Sequence, residues 1–208
     1  MTVQLNTQMD DREPVLSIMV KPRETFRYTL DHKTFSYSLY VGAVGGFASA
    51  LLSLYSTKYP FPYSLGEVVY SSFITGILYF MIANLVIAFM LAHIGAAFGG
   101  KASFKGMFQT MCLTVIPYIW LMPVLLFWMQ YSRHTFFDIP HDGLTMGEAI
   151  WSYIGSFIIL VASIWTLVLS IIGISEIHGF SKWKAFFTLL IASIGAAMIV
   201  GLLVVLIL

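Results

Sequence analysis

Any chemistry performed by this 208-residue chain must come from few side chains, because only 10% of its residues are charged. His134, Asp138, His141 and Asp142 crowd one segment and are of types that ligate divalent metals. Their spacing matches no defined site, and Pro140 with Gly143 makes the segment read as a turn connector, so no metal is assigned to it. His93 and His178, the latter beside Glu176, stand near the ends of apolar runs. A local hydrogen-bonded cluster is expected there, with a pH-responsive contact as the alternative. The single cysteine, Cys112, excludes an internal disulfide and a cysteine-rich zinc site. The eleven methionines fall among apolar positions and read as packing, not as a copper path. HExxH, GxSxG, a phosphate loop and an aspartate pair are all missing. No catalytic residue, metal or cofactor is therefore assigned.

The elements that would have to position any site are set by hydropathy. The chain is 59% hydrophobic and 16% aromatic, with a mean hydropathy of +0.85. About 20 apolar residues per crossing leave room for roughly five helices. An outer-membrane barrel is excluded, since its strands alternate apolar and polar residues whereas these runs are continuous. A formal charge of +1 with no clustered basic face argues against nucleic acid as a partner. The runs are Tyr37 to Ser56, Val68 to Phe98, Phe108 to Gln130, Ile150 to Ile174 and Ala185 to Leu208. The fold class is thus all-α: a polytopic membrane protein with five transmembrane helices and a short N-terminal interfacial helix.

Residues 1–36 are polar and carry Asp10, Asp11 and Glu13, so a retained N-terminal segment is expected instead of a cleavable signal peptide. With that segment inside, the cytoplasmic side carries Arg12, Lys21, Arg23, Arg27, Lys33, Lys101, Lys105, Lys182 and Lys184. The outer loops carry only Lys58 and Arg133, which fixes the expected orientation in a cell membrane and puts Leu208 at the outer face. Within the segment, Pro22 suits a first helical turn, Glu24 follows in it, and Phe26 with Leu30 form an i, i+4 pair beside Arg23 and Arg27. This reads as a helix on the inner surface, its basic groups meeting headgroups while Phe26 and Leu30 dip toward the acyl boundary. It is either an elbow that positions the first span or a recognition element. The five-span domain follows over residues 37–208.

A parallel repeat over residues 64–130 and 145–208 is expected within that domain. Ser64-Leu65-Gly66-Glu67 and Thr145-Met146-Gly147-Glu148 both match a capping box. Phe104-Lys105 and Trp183-Lys184 follow the turn glycines Gly100 and Gly179 in the same register. Convergence on common helix-end requirements is the alternative. Gly42 and Gly46 let the first span approach a neighbour closely, in a dimer or, as is more common, within the chain. Pro117 and Pro123 are expected to bend the third span, and Asn84 to make an interhelical hydrogen bond.

Several short motifs resemble the Yip domain family, integral membrane proteins named for interaction with Ypt/Rab GTPases. They are Lys21-Pro22-Arg23-Glu24-Thr25-Phe26, Gly99-Gly100-Lys101-Ala102-Ser103-Phe104, Ile116-Pro117, and His178-Gly179-Phe180-Ser181 with Lys184-Ala185. The resemblance runs from about Ser17 to the C-terminus. It implies a cytosolic N-terminus, five helices and no known enzymatic activity. Eukaryotic relatives are associated with Rab GTPases and vesicle traffic, often as hetero-oligomers. This chain lacks their long N-terminal region and the Asp-Leu-Tyr-Gly-Pro type of motif, so a Rab-type GTPase is not carried over as a partner. It looks more like the compact prokaryotic branch. The expected function is a non-enzymatic membrane adaptor or organiser, in contact with the lipid bilayer and with another membrane protein or a second copy. Its expected interaction residues are Arg23, Phe26, Arg27, Lys101, Phe104, Lys105, His178, Lys182, Trp183 and Lys184. The alternative is a transporter or accessory permease subunit for a small or lipid-like substrate.

Overall fold

The computed structural model describes residues 13–60, 62–139 and 142–207; Asp10, Asp11, Arg12, Pro140, His141 and Leu208 lie outside them. Helices and their connections make up the described residues, in the order α1 (Pro14–Ser17), α2 (Pro22–His32), α3 (Phe35–Ser53), α4 (Leu65–Ala97), α5 (Phe104–Thr114), α6 (Ile116–Tyr131), α7 (Arg133–Phe136), α8 (Met146–His178) and α9 (Lys182–Ile207). Five stretches are long and apolar enough to cross a membrane: α3, α4, α5 with α6, α8 and α9. The protein is therefore an all-helical, polytopic membrane protein.

The helices extend past the apolar runs to polar caps. Thr34 accepts from the Tyr37 amide, while Ser64 with Glu67 and Thr145 with Glu148 form reciprocal capping boxes. Each satisfies amide groups that the first helical turn leaves without partners. The first span ends at Ser53, short of Ser56, because Ser56 adopts a left-handed φ of 58° and turns its amide to the Phe136 carbonyl at 2.8 Å. The third span is interrupted at Val115, between α5 and α6. Pro117 consequently sits in the first turn of α6, where its missing amide costs nothing, and only Pro123 lies inside a helix.

This third span is the axis of the bundle, with 56% of its most apolar window buried against 17–39% for the other four. Around it α3 packs on α4, α4 on α9 and α9 on α8, and both α3 and α8 touch the axis directly. Between α8 and α3 the ring is closed at the α7 end, where Tyr55 bonds Ser156 at 2.8 Å, and leaves an opening with little direct packing toward the other end. The opening is covered by α1 and α2: Ile18 and Phe26, both fully buried, pack with Val41 of α3, Leu113 and Ile116 of the axis, and Leu169 of α8.

Helix lengths place the two ends of the bundle differently. At 1.5 Å per residue, the 33 residues of α4 and of α8 reach about 50 Å, beyond a hydrocarbon core of about 30 Å. The 19 residues of α3 match that core. Phe35, which opens α3, packs on Phe108 with ring centroids 5.7 Å apart, so the last turns of α4 and α8 stand beyond it. At the opposite end an aromatic cluster around Trp128, Phe136 and Phe137 ties α6 and α7 to the loop after α3.

Candidate functional site

The projecting ends of α4 and α8 finish in the same way. Gly99 (φ 85°) and Gly179 (φ 71°) take the left-handed conformation, and the next amides, of Gly100 and Phe180, bond back to Gly95 at 2.9 Å and to Ser175 at 3.2 Å. This is the closure of a Schellman turn, which needs glycine one position earlier than Gly100 in α4. Gly100 serves another purpose. A Cβ there, or at Gly95, would collide with the imidazole of His178.

His178 closes α8 and is 2% exposed. The Ala102 amide donates to its Nδ1 at 3.3 Å. The ring proton therefore belongs on Nε2, from which it is donated to the Leu91 carbonyl at 3.2 Å. Phe180 stacks on the ring at 4.8 Å and 3°. The Lys101 amide donates to the His178 carbonyl at 3.2 Å, and Lys184 reaches the Phe98 carbonyl at 3.0 Å. One imidazole and three backbone carbonyls thus join the turn after α4 to the turn after α8. The expected grouping of His93 with His178 and Glu176 does not form: exposed His93 bonds to Phe89 of its own helix at 2.8 Å.

Glu176 instead faces α2. Its side chain is 8% exposed and pairs with Arg27, whose Nε donates to it, and with Arg23 at 3.8 Å. Beneath this pair the Phe26 ring lies against Gly173, which has no side chain to keep it out. Phe26 is thus buried in the protein and does not dip into the acyl boundary, while Leu30 is half-buried. The α2 helix is a covering element clamped to α8, not a free interfacial helix. It is clamped by the close fit of the ring against Gly173 and by the Glu176 pair, since escape from water alone would be equally met in the acyl region.

The remaining sequence-selected residues divide into two sets. Lys105 lies over the Phe35 ring at 5.6 Å. Lys101, Phe104 and Lys182 are exposed, and Trp183 is 74% exposed. Together with Arg23 and Arg27 they give the α2 end a basic and aromatic rim. Gly42, Gly46 and Asn84 work inside the bundle. A Cβ at Gly42 would stand 2.7 Å from Cys112 Sγ, and one at Gly46 would stand 2.9 Å from the Gly76 carbonyl. Asn84 donates to the Phe108 carbonyl at 3.3 Å and to Cys112 Sγ at 3.1 Å. These close approaches fasten α3 and α4 to each other and to α5, within one chain.

At the α7 end, Ser132, His134 and Glu148 meet in an arrangement absent from the sequence reading. Ser132 Oγ lies 3.4 Å and Glu148 Oε1 3.1 Å from the same His134 nitrogen, Nε2. The imidazole is not interposed between hydroxyl and carboxylate, so it cannot relay a proton from one to the other as a hydrolytic triad requires. Among the described residues, no group of three or more His, Cys, Asp or Glu side chains is placed to hold a metal; His141 lies outside them.

The signal for His178 was present in the sequence as its neighbours Gly95, Gly99 and Gly100, but nothing in their spacing announces that two of them make room for a ring from another helix. A family model described as the Yip1 domain matches residues 16–205. Comparison with curated proteins and with solved structures gives no match.

Proposed function

This chain belongs to the Yip1 domain family, and from that premise we propose that it is a non-enzymatic adaptor or organiser, integral to the plasma membrane, whose α2 end faces the cytoplasm. The observation that carries this reading is the joined pair of turns. Two helices that outlast the hydrocarbon core are locked together by His178, and the lock presents Lys101, Phe104, Lys182 and Trp183 on a fixed rim. Holding the two turns together keeps these exposed basic and aromatic side chains grouped on one rim, which suits contact with an acidic surface of another membrane protein. Orientation follows from the basic residues of that end, which cytoplasmic segments retain. A transporter or accessory permease is the second reading and rests on the break at Val115. Against it, the donor group of Asn84 is taken up by the α5 backbone and sulfur.

Mild-detergent copurification of the full chain, with identification of its partners, tests the adaptor. Lys101→Gln combined with Lys182→Gln removes exposed charge without touching the lock. Each basic contact near an anionic surface contributes about 1 kcal/mol, so partner recovery should fall roughly tenfold or more. Unchanged recovery at matched expression would sink the adaptor reading. Substrate movement that responds to Asn84→Ala while recovery does not would favour the transporter.

A further inference from the structure

A groove of about 340 Å³ runs between α3 and α4, its walls including Gly46, Ser49, Ser53, Thr75, Gly76 and Tyr79. The two glycines already face each other within the chain, since a Cβ on Gly76 would stand 2.8 Å from the Gly46 carbonyl oxygen and 2.5 Å from the Cβ of Ala50. What the groove offers outward is a row of hydroxyls. Ser49 donates to the Gly45 carbonyl at 2.8 Å, Ser53 to that of Ala50 at 2.7 Å and Thr75 to that of Ser71 at 2.7 Å. Their protons are engaged, while their oxygens keep lone pairs free to accept. Tyr79 is the opposite case. It is 73% exposed, and its hydroxyl has no partner among the described residues. The 19 residues of α3 match the hydrocarbon core, and Gly76 stands level with Gly46 and Ala50 inside that stretch. The groove therefore presents one unmet donor and three acceptors at a depth where lipid tails supply neither.

We propose that this groove is the interface of a symmetric dimer, in which the Tyr79 hydroxyl of each copy donates to Ser49 or Thr75 of the other. Depth makes the match. Two copies inserted in the same sense are related by a twofold axis along the membrane normal, so each group meets groups at its own depth. Side chains lean toward the N-terminus of their helix, which brings the Tyr79 hydroxyl about one turn nearer Leu65, to the level of Thr75. Thr75 and Ser49 flank the contact of Gly76 with Gly46 and Ala50, so they share that level. The donor and acceptors of one groove are thus complementary to those of an identical groove, as an isologous contact requires. An acyl chain would fill the same space and leave the phenol unmet. Exposed Met198, Ile199 and Leu202 of α9 make the contrast, because such apolar side chains are as well satisfied by lipid as by protein. The inference goes beyond the adaptor reading and is independent of what binds the basic rim at the α2 end.

The test uses the full chain, labelled at its N-terminus with a donor or an acceptor fluorophore and reconstituted in phosphatidylcholine vesicles. Energy transfer is read as the protein is diluted with lipid, and it should follow a monomer–dimer equilibrium. Tyr79→Phe removes one exposed oxygen and keeps the ring, so the fold is retained. It should weaken association about tenfold, because both symmetry-related bonds are lost at once. Ser49→Ala with Thr75→Ala removes the acceptors and should do the same, and adding Tyr79→Phe should then have little further effect. That lack of additivity separates a bond between these groups from unrelated changes. A photoreactive benzophenone amino acid in place of Ser53 should cross-link two copies, and the same group in place of Met198 should not. A chain that stays monomeric even at the highest protein-to-lipid ratio would leave the groove to lipid and overturn the proposal. So would a dimer indifferent to all three hydroxyl substitutions, or one cross-linked through position 198 instead.

Discussion

The two ends of the bundle are fastened by different forces. At the α7 end the fastening is apolar and deep. Trp128 is fully buried with its ring against Gly155, Phe136 and Phe137 meet at 4.9 Å, and Tyr59 meets Phe137 at 5.0 Å. At the α2 end Phe26 has its own apolar seat, but the two turns after α4 and α8 are fastened to each other by single polar contacts to backbone groups, centred on His178. A buried aromatic cluster is cooperative and indifferent to what lies outside it. A chain of hydrogen bonds, each contributing a net of about 1 kcal/mol, opens one link at a time. The difference separates an end built for persistence from one that is ordered by individually weak links.

Cutting the apolar end should produce the largest effect. Trp128→Ala empties a fully buried site that Gly155 cannot refill, and also removes the indole that donates to the Thr135 hydroxyl at 2.8 Å, leaving that hydroxyl its bond to the Ser132 carbonyl at 3.0 Å. A loss of about 3–5 kcal/mol is expected, read as a fall in unfolding midpoint in detergent. A loss below about 1 kcal/mol would show that the aromatic cluster is not the persistent end. Gly95→Ala acts on the other fastening, because the new Cβ meets an imidazole already backed by Phe180. The ring must leave, at about 1–3 kcal/mol. Amide exchange should accelerate at Lys101 and Ala102 while the surroundings of Trp128 stay unchanged. Unaltered protection of those two amides would mean that His178 is not what holds the turns together.

The comparison also separates what the sequence discloses from what it hides. Helix count, caps and the basic asymmetry are legible because each depends on local composition: Glu67 and Glu148 betray their capping boxes within four residues of chain. Gly46 is legible as a small residue, though its partner Gly76, thirty positions on, is not. The burial of Phe26 is hidden for the same reason. Its i, i+4 partner Leu30 and its basic neighbours Arg23 and Arg27 predict an interfacial face, and only Gly173, far along the chain, shows that the ring has somewhere better to go. Glu176 reads as a neighbour of His178 by position, yet a helix turns successive side chains to different sides, and the carboxylate faces α2. Contacts among residues close in sequence are read directly; contacts among distant residues of an apolar bundle leave little periodic trace, because lipid-facing and buried sides are alike in composition.

The smallest effect compares the two capping boxes, which look alike in sequence and differ in their surroundings. Ser64→Ala and Thr145→Ala should each cost about 1 kcal/mol as the loss of a cap. In α4 the box stands alone: Glu67 bonds the amide and hydroxyl of Ser64, both at 2.7 Å. In α8 the carboxylate also receives the Ser132 hydroxyl at 3.0 Å, on the oxygen that approaches His134. Glu148 therefore links the start of α8 to the junction of α6 and α7, and Thr145 orients it for both tasks. Removing Ser64 should release exchange only over the first turn of α4. Removing Thr145 should release the first turn of α8 together with the amides of Thr135 and Phe136, which bond to the Ser132 carbonyl at 3.2 Å. Identical, strictly local footprints would mean that the second contact of Glu148 transmits nothing, and that the two hairpins differ at this end in geometry alone.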